Sequence, residues 1–194
     1  MRAAIARFLL KLWRWTPVGS RPESGAIVLC APHTSNVDYL LMILVAWAND
    51  MDLSFLAKTA LFKPPVGWII KATGGVPVDR TAPHGLVGQM CDQFEKNPGM
   101  HLAIPAEGTR SRVEYWKSGF YRIAEQAHVP ISLAFIDKSV RQTGFGPLLT
   151  PSGDVVADMN VIRDFYTGKV GLKPENFGPI RLRDEEEGAE PAAG

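Results

Sequence analysis

The sequence predicts a single α/β domain: a mixed, partly parallel sheet flanked by helices and preceded by an N-terminal amphipathic helix. Two patterns carry this prediction. Short apolar runs rich in β-branched residues recur along the chain, and segments with apolar residues at steps of three and four lie between them. With 194 residues the chain is long enough to bury a core without disulfide or metal staples.

Residues 1–15 read as a helix. Ile5, Phe8, Leu9, Leu12 and Trp13 share one face, Arg7, Lys11 and Arg14 another, and Pro17 and Gly19 are expected to end it. Its exposed set, Phe8, Leu12, Trp13 and Trp15 among cations, suits a membrane interface. The same pattern suits a helix packed on the domain, and the sequence leaves both open. Ala26–Ala31 is a buried strand, 36–48 a helix, and Leu53–Ala57 a strand. After Pro64 and Pro65 a helix is expected over 68–72, then an extended Val76–Val78. Leu86, Met90 and Phe94, at steps of four, mark a helix over 84–97. His101–Ile104 is a strand, 119–128 a helix, Ile131–Ile136 a strand, and 157–167 a last helix. The organisation is thus an amphipathic helix (1–18), one domain (22–180) and an acidic tail (184–194) expected to be disordered, since Glu, Gly, Ala and Pro bury too little to order themselves.

Net charge is +1, which argues against a nucleic-acid partner, but the charges are segregated. Arg2, Arg7, Lys11, Arg14 and Arg21 stand without an acid in 1–21, and Asp184, Glu185, Glu186, Glu187 and Glu190 without a base in 184–194. Cys30 and Cys91 form no metal-ligating spacing and fit a reducing compartment. No metal site is expected. The longest apolar run, Tyr39 to Ala48, is about half a bilayer span, and the N-terminus lacks a secretory pattern, so the chain is expected to be soluble or peripheral.

Three polar loops follow predicted strands. In Ala31-Pro32-His33-Thr34-Ser35-Asn36-Val37-Asp38, an imidazole at a strand's end precedes a carboxylate in the next helix's first turn: a base with an orienting partner. Ser35 and Asp38 also match a helix capping box, which needs no catalysis. Gly74–Arg80 permits close backbone approach, and Arg80 could clamp an anion or simply pair with Asp79. Ile104–Arg112 offers backbone donors, hydroxyls and two guanidiniums after a strand, and Lys117 precedes a helix N-terminus; this is an inventory for a phosphorylated polyol, or else a solvated loop. No HExxH, GxSxG, Walker A or GxGxxG motif occurs.

In this order, His33-x4-Asp38, Gly74–Arg80, Glu107-Gly108-Thr109-Arg110-Ser111 and Val129-Pro130-Ile131 resemble the glycerolipid acyltransferase superfamily, which includes the 1-acylglycerol-3-phosphate acyltransferases, in its compact bacterial form. Ala106 stands where that family usually has Pro, and Ser132-Leu133-Ala134 follows Ile131 where Pro-Val is common. The resemblance implies direct acyl transfer with no cofactor, from acyl-CoA or acyl-carrier protein to a lyso-lipid hydroxyl. His33 would be the general base and Asp38 its partner. Arg80, Glu107, Gly108, Thr109, Arg110, Ser111 and Lys117 would hold the acceptor and its phosphate. It further implies a peripheral enzyme on the inner face of the cell membrane. The same chemistry on a non-phosphorylated lyso-lipid or glycolipid, or thioester hydrolysis with water activated by His33, are the alternatives. Phe55, Phe62, Trp68 and Trp47 are candidates to line an acyl groove, though such residues are commonly core.

Overall fold

The structure, a computed structural model, describes residues 1–78 and 85–187. Seven strands form one sheet: β1 (Thr16–Val18), β2 (Ala26–Ala31), β3 (Leu53–Lys58), β4 (Gly75–Val78), β5 (His101–Pro105), β6 (Ile131–Asp137) and β7 (Gln142–Leu149). Their spatial order is β1-β7-β6-β2-β5-β3-β4. All neighbours are parallel except the β6–β7 hairpin.

Alternating side chains of β2 divide the interior. Ile27, Leu29 and Ala31 face one core, closed by α4 (Gly85–Lys96), α5 (Gly119–Gln126) and α6 (Val155–Tyr166) through Met90, Phe94, Phe120, Ile123, Met159 and Ile162. Val28 faces a second core, closed by α1 (Arg2–Leu12) and α2 (Val37–Ala48) through Ala6, Leu10, Leu41, Leu44 and Val45. α3 (Val66–Ala72) lies beside β4 and follows a 3₁₀ turn at Thr59–Phe62.

The predicted elements are present within a few residues, and two strands were missed. β1 holds Pro17, and β7 holds Gly144, Gly146 and Pro147, so neither shows a clean strand pattern; β1 is an edge strand, and β6–β7 carries a register shift between Ser132 and Ala134. The N-terminal helix also ends earlier than Pro17. Arg14 adopts φ 60°, its N–H bonds Lys11 O at 3.0 Å, and the Trp15 N–H bonds Leu10 O at 2.8 Å. This is a Schellman turn built on a non-glycine residue, and it sends Trp15 inward. Trp15 is therefore not a membrane-contacting residue: it is 6% exposed, packed in the second core, with the Arg141 guanidinium 5.6 Å from its ring centre. Ile5, Phe8, Leu12 and Trp13 of the same segment are exposed.

The acidic segment expected to be disordered from 184 begins with a helical turn, α7 (Asp184–Glu187). Asp184 pairs with Arg122 at 2.8 Å, Glu185 with Arg163, and Glu186 accepts from the Tyr115 hydroxyl. Arg122, Arg163 and Tyr115 on the domain hold side chains that composition alone reads as burying too little to order themselves. Residues 188–194 lie outside the described residues.

Candidate active site

The site forms where two adjacent parallel strands end together. β2 and β5 are in register up to Cys30 opposite Pro105, and the Ala106 N–H bonds Cys30 O at 3.3 Å. The segments that continue from them, with His33 on one and Glu107 on the other, must emerge side by side. Both leave the carboxyl ends of central strands, where open α/β sheets bind ligands.

His33 Nδ1 lies 3.5 Å from Asp38 Oδ2. Such a pair is loose, as catalytic contacts often are before substrate binds. Asp38 is buried, and Oδ2 accepts the Thr34 N–H at 2.6 Å and the Ser35 N–H at 2.7 Å. The bond to Ser35 is half of the capping box; the Ser35 hydroxyl turns instead to the Val37 N–H at 3.3 Å. Asp38 thus shapes the turn and faces the imidazole at once, and Oδ1 has no hydrogen-bond partner among the described residues.

Glu107 sits differently from the acceptor-binding place given to it by the motif. It is 1% exposed and does not line the cavity described below. Its Oε1 accepts the backbone N–H of His33 at 2.8 Å, so it holds the backbone of that residue in place. Burial raises its carboxyl to about 7, against the two backbone hydrogen bonds that lower it. Burial, and then the Arg110 charge, lower the His33 imidazole to about 4. Burial also raises Asp38, opposed by the Ser35 and Thr34 amides and by Arg110. The imidazole is therefore neutral near pH 7, the form a general base requires.

Gly108, at φ 67°, turns the third loop back so that Lys117 lies against it; a Cβ there would stand 3.0 Å from Lys117 Cγ. The Lys117 N–H bonds Ala106 O at 3.0 Å. Gly108, Thr109, Arg110 and Lys117 line the cavity mouth with His33 and Asp38. Neither the Arg110 nor the Lys117 side chain forms an ion pair among the described residues. Ser111 is exposed outside the cavity, its N–H 3.4 Å from Thr109 Oγ1. Arg112 donates to Phe177 O and so serves the C-terminal segment. Arg80 and Asp79 lie outside the described residues.

Behind this mouth is a cavity of about 1110 Å³. Met42 and Val45 of α2, Met51, Leu53, Phe55, Ala103 and Phe145 line it. Val28 and Ala103, within β2 and β5, are among the lining residues, so the cavity extends back from the mouth along these strands. Of the four aromatic candidates Phe55 lines it, whereas Phe62, Trp68 and Trp47 do not. Cys30 lines it as well, and burial pushes its thiol up to about 12, which leaves it protonated and unreactive.

Sequence reasoning missed a C-terminal strap. Thr34, inside the His33–Asp38 turn, is buried; its Oγ1 accepts the Lys173 N–H at 3.0 Å and its carbonyl accepts from Asn176 Nδ2 at 3.2 Å. Gly171 packs so closely that a Cβ would reach 2.8 Å from Thr34 Oγ1. The buried Tyr166 hydroxyl lies 2.7 Å from Leu29 O and 3.0 Å from Ala134 O, fastening α6 to the sheet beside the site. No local pattern announces these contacts, which join positions more than thirty residues apart.

A neutral histidine beside a carboxylate, with two cations and an apolar cavity at the same mouth, is a site with the chemistry of an α/β enzyme. The family model described as Acyltransferase matches residues 18–134, and the chain belongs to that family of enzymes. Among solved structures, the crystal structure of the 1-acyl-sn-glycerophosphate (LPA) acyltransferase PlsC from Thermotoga maritima is similar in fold. Its TM-score is 0.61 at 18% identity, over 84% of this chain and 76% of that one. No curated protein sequence matches the chain.

Proposed function

We propose that this acyltransferase moves a fatty acyl group from acyl-CoA or acyl-carrier protein to a hydroxyl of a glycerolipid-type acceptor, with 1-acylglycerol-3-phosphate the best fit. The observation that carries this reading is the junction at the cavity mouth: His33 shares an apolar cavity with Arg110 and Lys117, neither in an ion pair among the described residues. An acyl chain suits the first, and a phosphate the second.

With Nδ1 directed at Asp38, the Nε2 lone pair is left for the acceptor hydroxyl. As the hydroxyl oxygen attacks the thioester carbonyl, its proton passes to Nε2, and Asp38 offsets the positive charge that appears on the ring. Collapse of the tetrahedral species breaks the carbon–sulfur bond. The leaving thiolate takes the proton from the imidazolium, giving ester and free thiol. The thioester is already activated, so the chemistry needs no cofactor beyond the donor. The exposed Phe8, Leu12 and Trp13 of the N-terminal segment support attachment at the inner face of the cell membrane, close to lipid substrates.

Purified protein with acyl-CoA and a panel of lyso-lipids, followed by mass spectrometry of the product, tests the reading. Acylated 1-acylglycerol-3-phosphate is expected, and His33→Ala abolishes it; a His33→Ala protein with full acyl-CoA consumption overturns the assignment of the base. Transfer confined to lyso-lipids without phosphate overturns the acceptor, and acceptor-independent release of free fatty acid at a comparable rate identifies a thioesterase.

A further inference from the structure

We propose that the segment from Lys58 through α3 is a second docking surface, one that seats the cavity mouth on an anionic lipid bilayer. α3 is held to the domain by a small inner face. Gly67 is so close to the 3₁₀ turn that a Cβ would stand 2.2 Å from Phe62 O, and Ile70 packs on Gly75. Trp68 is 69% exposed, and Ile69, Val66 and Leu61 are exposed with it. A cluster of this kind on one short element marks an interaction site, unlike scattered single residues.

Charge selects the partner. Residues 53–78 contain Lys58, Lys63 and Lys71 and no acidic residue. All three lysines are exposed, and none forms an ion pair among the described residues. Lys71 lies one turn from Trp68, so cation and indole share a face. Apolar side chains ringed by exposed lysines fit the headgroup boundary of an anionic bilayer, where indoles insert and lysines meet phosphates.

The patch is continuous with the site. Ile69 and Ile70 line the cavity, and the Tyr39 hydroxyl lies 3.1 Å from Thr73 Oγ1, joining α3 to the first turn of α2 beside Asp38. Val37 and Leu40 of that turn are exposed too. The N-terminal helix, by contrast, is tied to the far end of α2, where Arg7 donates to Ala48 O at 2.7 Å. The surface is read from exposure and charge; its use in delivering lipid to the cavity rests on the acyl-transfer reading.

The experiment measures binding without turnover, on vesicles of phosphatidylcholine with phosphatidylglycerol and of phosphatidylcholine alone. Val66→Ser/Trp68→Ser is expected to weaken binding to the mixed vesicles about tenfold or more. Lys63→Glu/Lys71→Glu is expected to cut the preference for phosphatidylglycerol about fivefold per lysine. Brominated lipids should quench a tryptophan component that Trp68→Phe removes; this readout uses folded wild-type protein and stands if the serine variant fails to fold. Unchanged binding in both double variants, with loss only in Phe8→Ser/Leu12→Ser, overturns the proposal. So does a dimer in the absence of vesicles that Val66→Ser/Trp68→Ser dissociates, because the patch would then be a self-association face. Vesicle binding lost with Trp68, in a protein that acylates no acceptor, upholds the surface and overturns the functional reading alone.

Discussion

Glu107 Oε1 accepts the backbone N–H of His33 at 2.8 Å, across 74 positions of sequence. The acid of the third loop is thereby the support of the histidine of the first. Removing it frees the backbone of His33, the proposed base. Glu107→Ala is expected to lower kcat about a hundredfold with little change in acceptor KM, since small displacements of a reacting group cost that much. It should also destabilise the fold by about 1–3 kcal/mol, the cost of an orphaned buried donor. Steady-state kinetics and urea unfolding check the two effects. A rise in acceptor KM at unchanged kcat would return Glu107 to the acceptor site.

Because His33 is held near 4, the acid limb of kcat/KM should lie near that value and well below the ordinary 6.5 of imidazole. Arg110→Ala removes a charge that lowers His33 and should move the limb upward. The same variant should raise KM for phosphate-bearing acceptors about tenfold or more while sparing those without phosphate. A pH profile and an acceptor panel on one variant test both expectations.

Folding stability should respond to pH through two opposed groups. His33 is lowered in the fold, so between about 4 and 6.5 the unfolded chain binds more protons, and stability falls as pH falls through that window. Glu107 is raised, so between about 4.5 and 7 the folded chain binds more, and stability falls as pH rises. Each effect is about 3 kcal/mol at most, and they offset where the windows overlap. Urea midpoints of wild type should therefore change little from these two groups between pH 5 and 6. His33→Ala should lose stability steadily from about 4.5 to 7, and Glu107→Ala should lose it toward acid.

Gly108→Ala should be harmful on two counts. Its φ of 67° is costly for alanine, and the new Cβ would press Lys117 Cγ at 3.0 Å. A loss of about 1–2 kcal/mol is expected from the backbone. Displacement of Lys117 should raise KM for phosphate-bearing acceptors, whereas Ser111→Ala, on an exposed side chain outside the cavity, should leave both quantities near wild type.

The candidate site was legible where chemistry is local. His33 and Asp38 share one turn, and Gly108, Thr109 and Arg110 are consecutive, so each group could be suspected from its spacing, while the roles of base and anion-binding loop came from the family resemblance. Phe55 could be suspected as a cavity residue, but only packing separated it from Phe62, Trp47 and Trp68. Trp15 misled for a related reason: its neighbours are exposed, and one left-handed residue, Arg14, reverses its direction.

The sequence by itself determined the α/β class, five of the seven strands and the residue types at their ends, because side-chain period and turn chemistry act over a few positions. Tertiary structure decided where those residues lie and what they touch. Parallel pairing of β2 with β5 turned Glu107 from an acceptor ligand into the seat of His33, and burial set the proton affinities of both. The strap from Gly171 to Asn176, the hollow beneath α2 and the outward face of α3 likewise come from contacts between segments distant in sequence. Burial and partnership are properties of such contacts, and no single stretch of chain contains them.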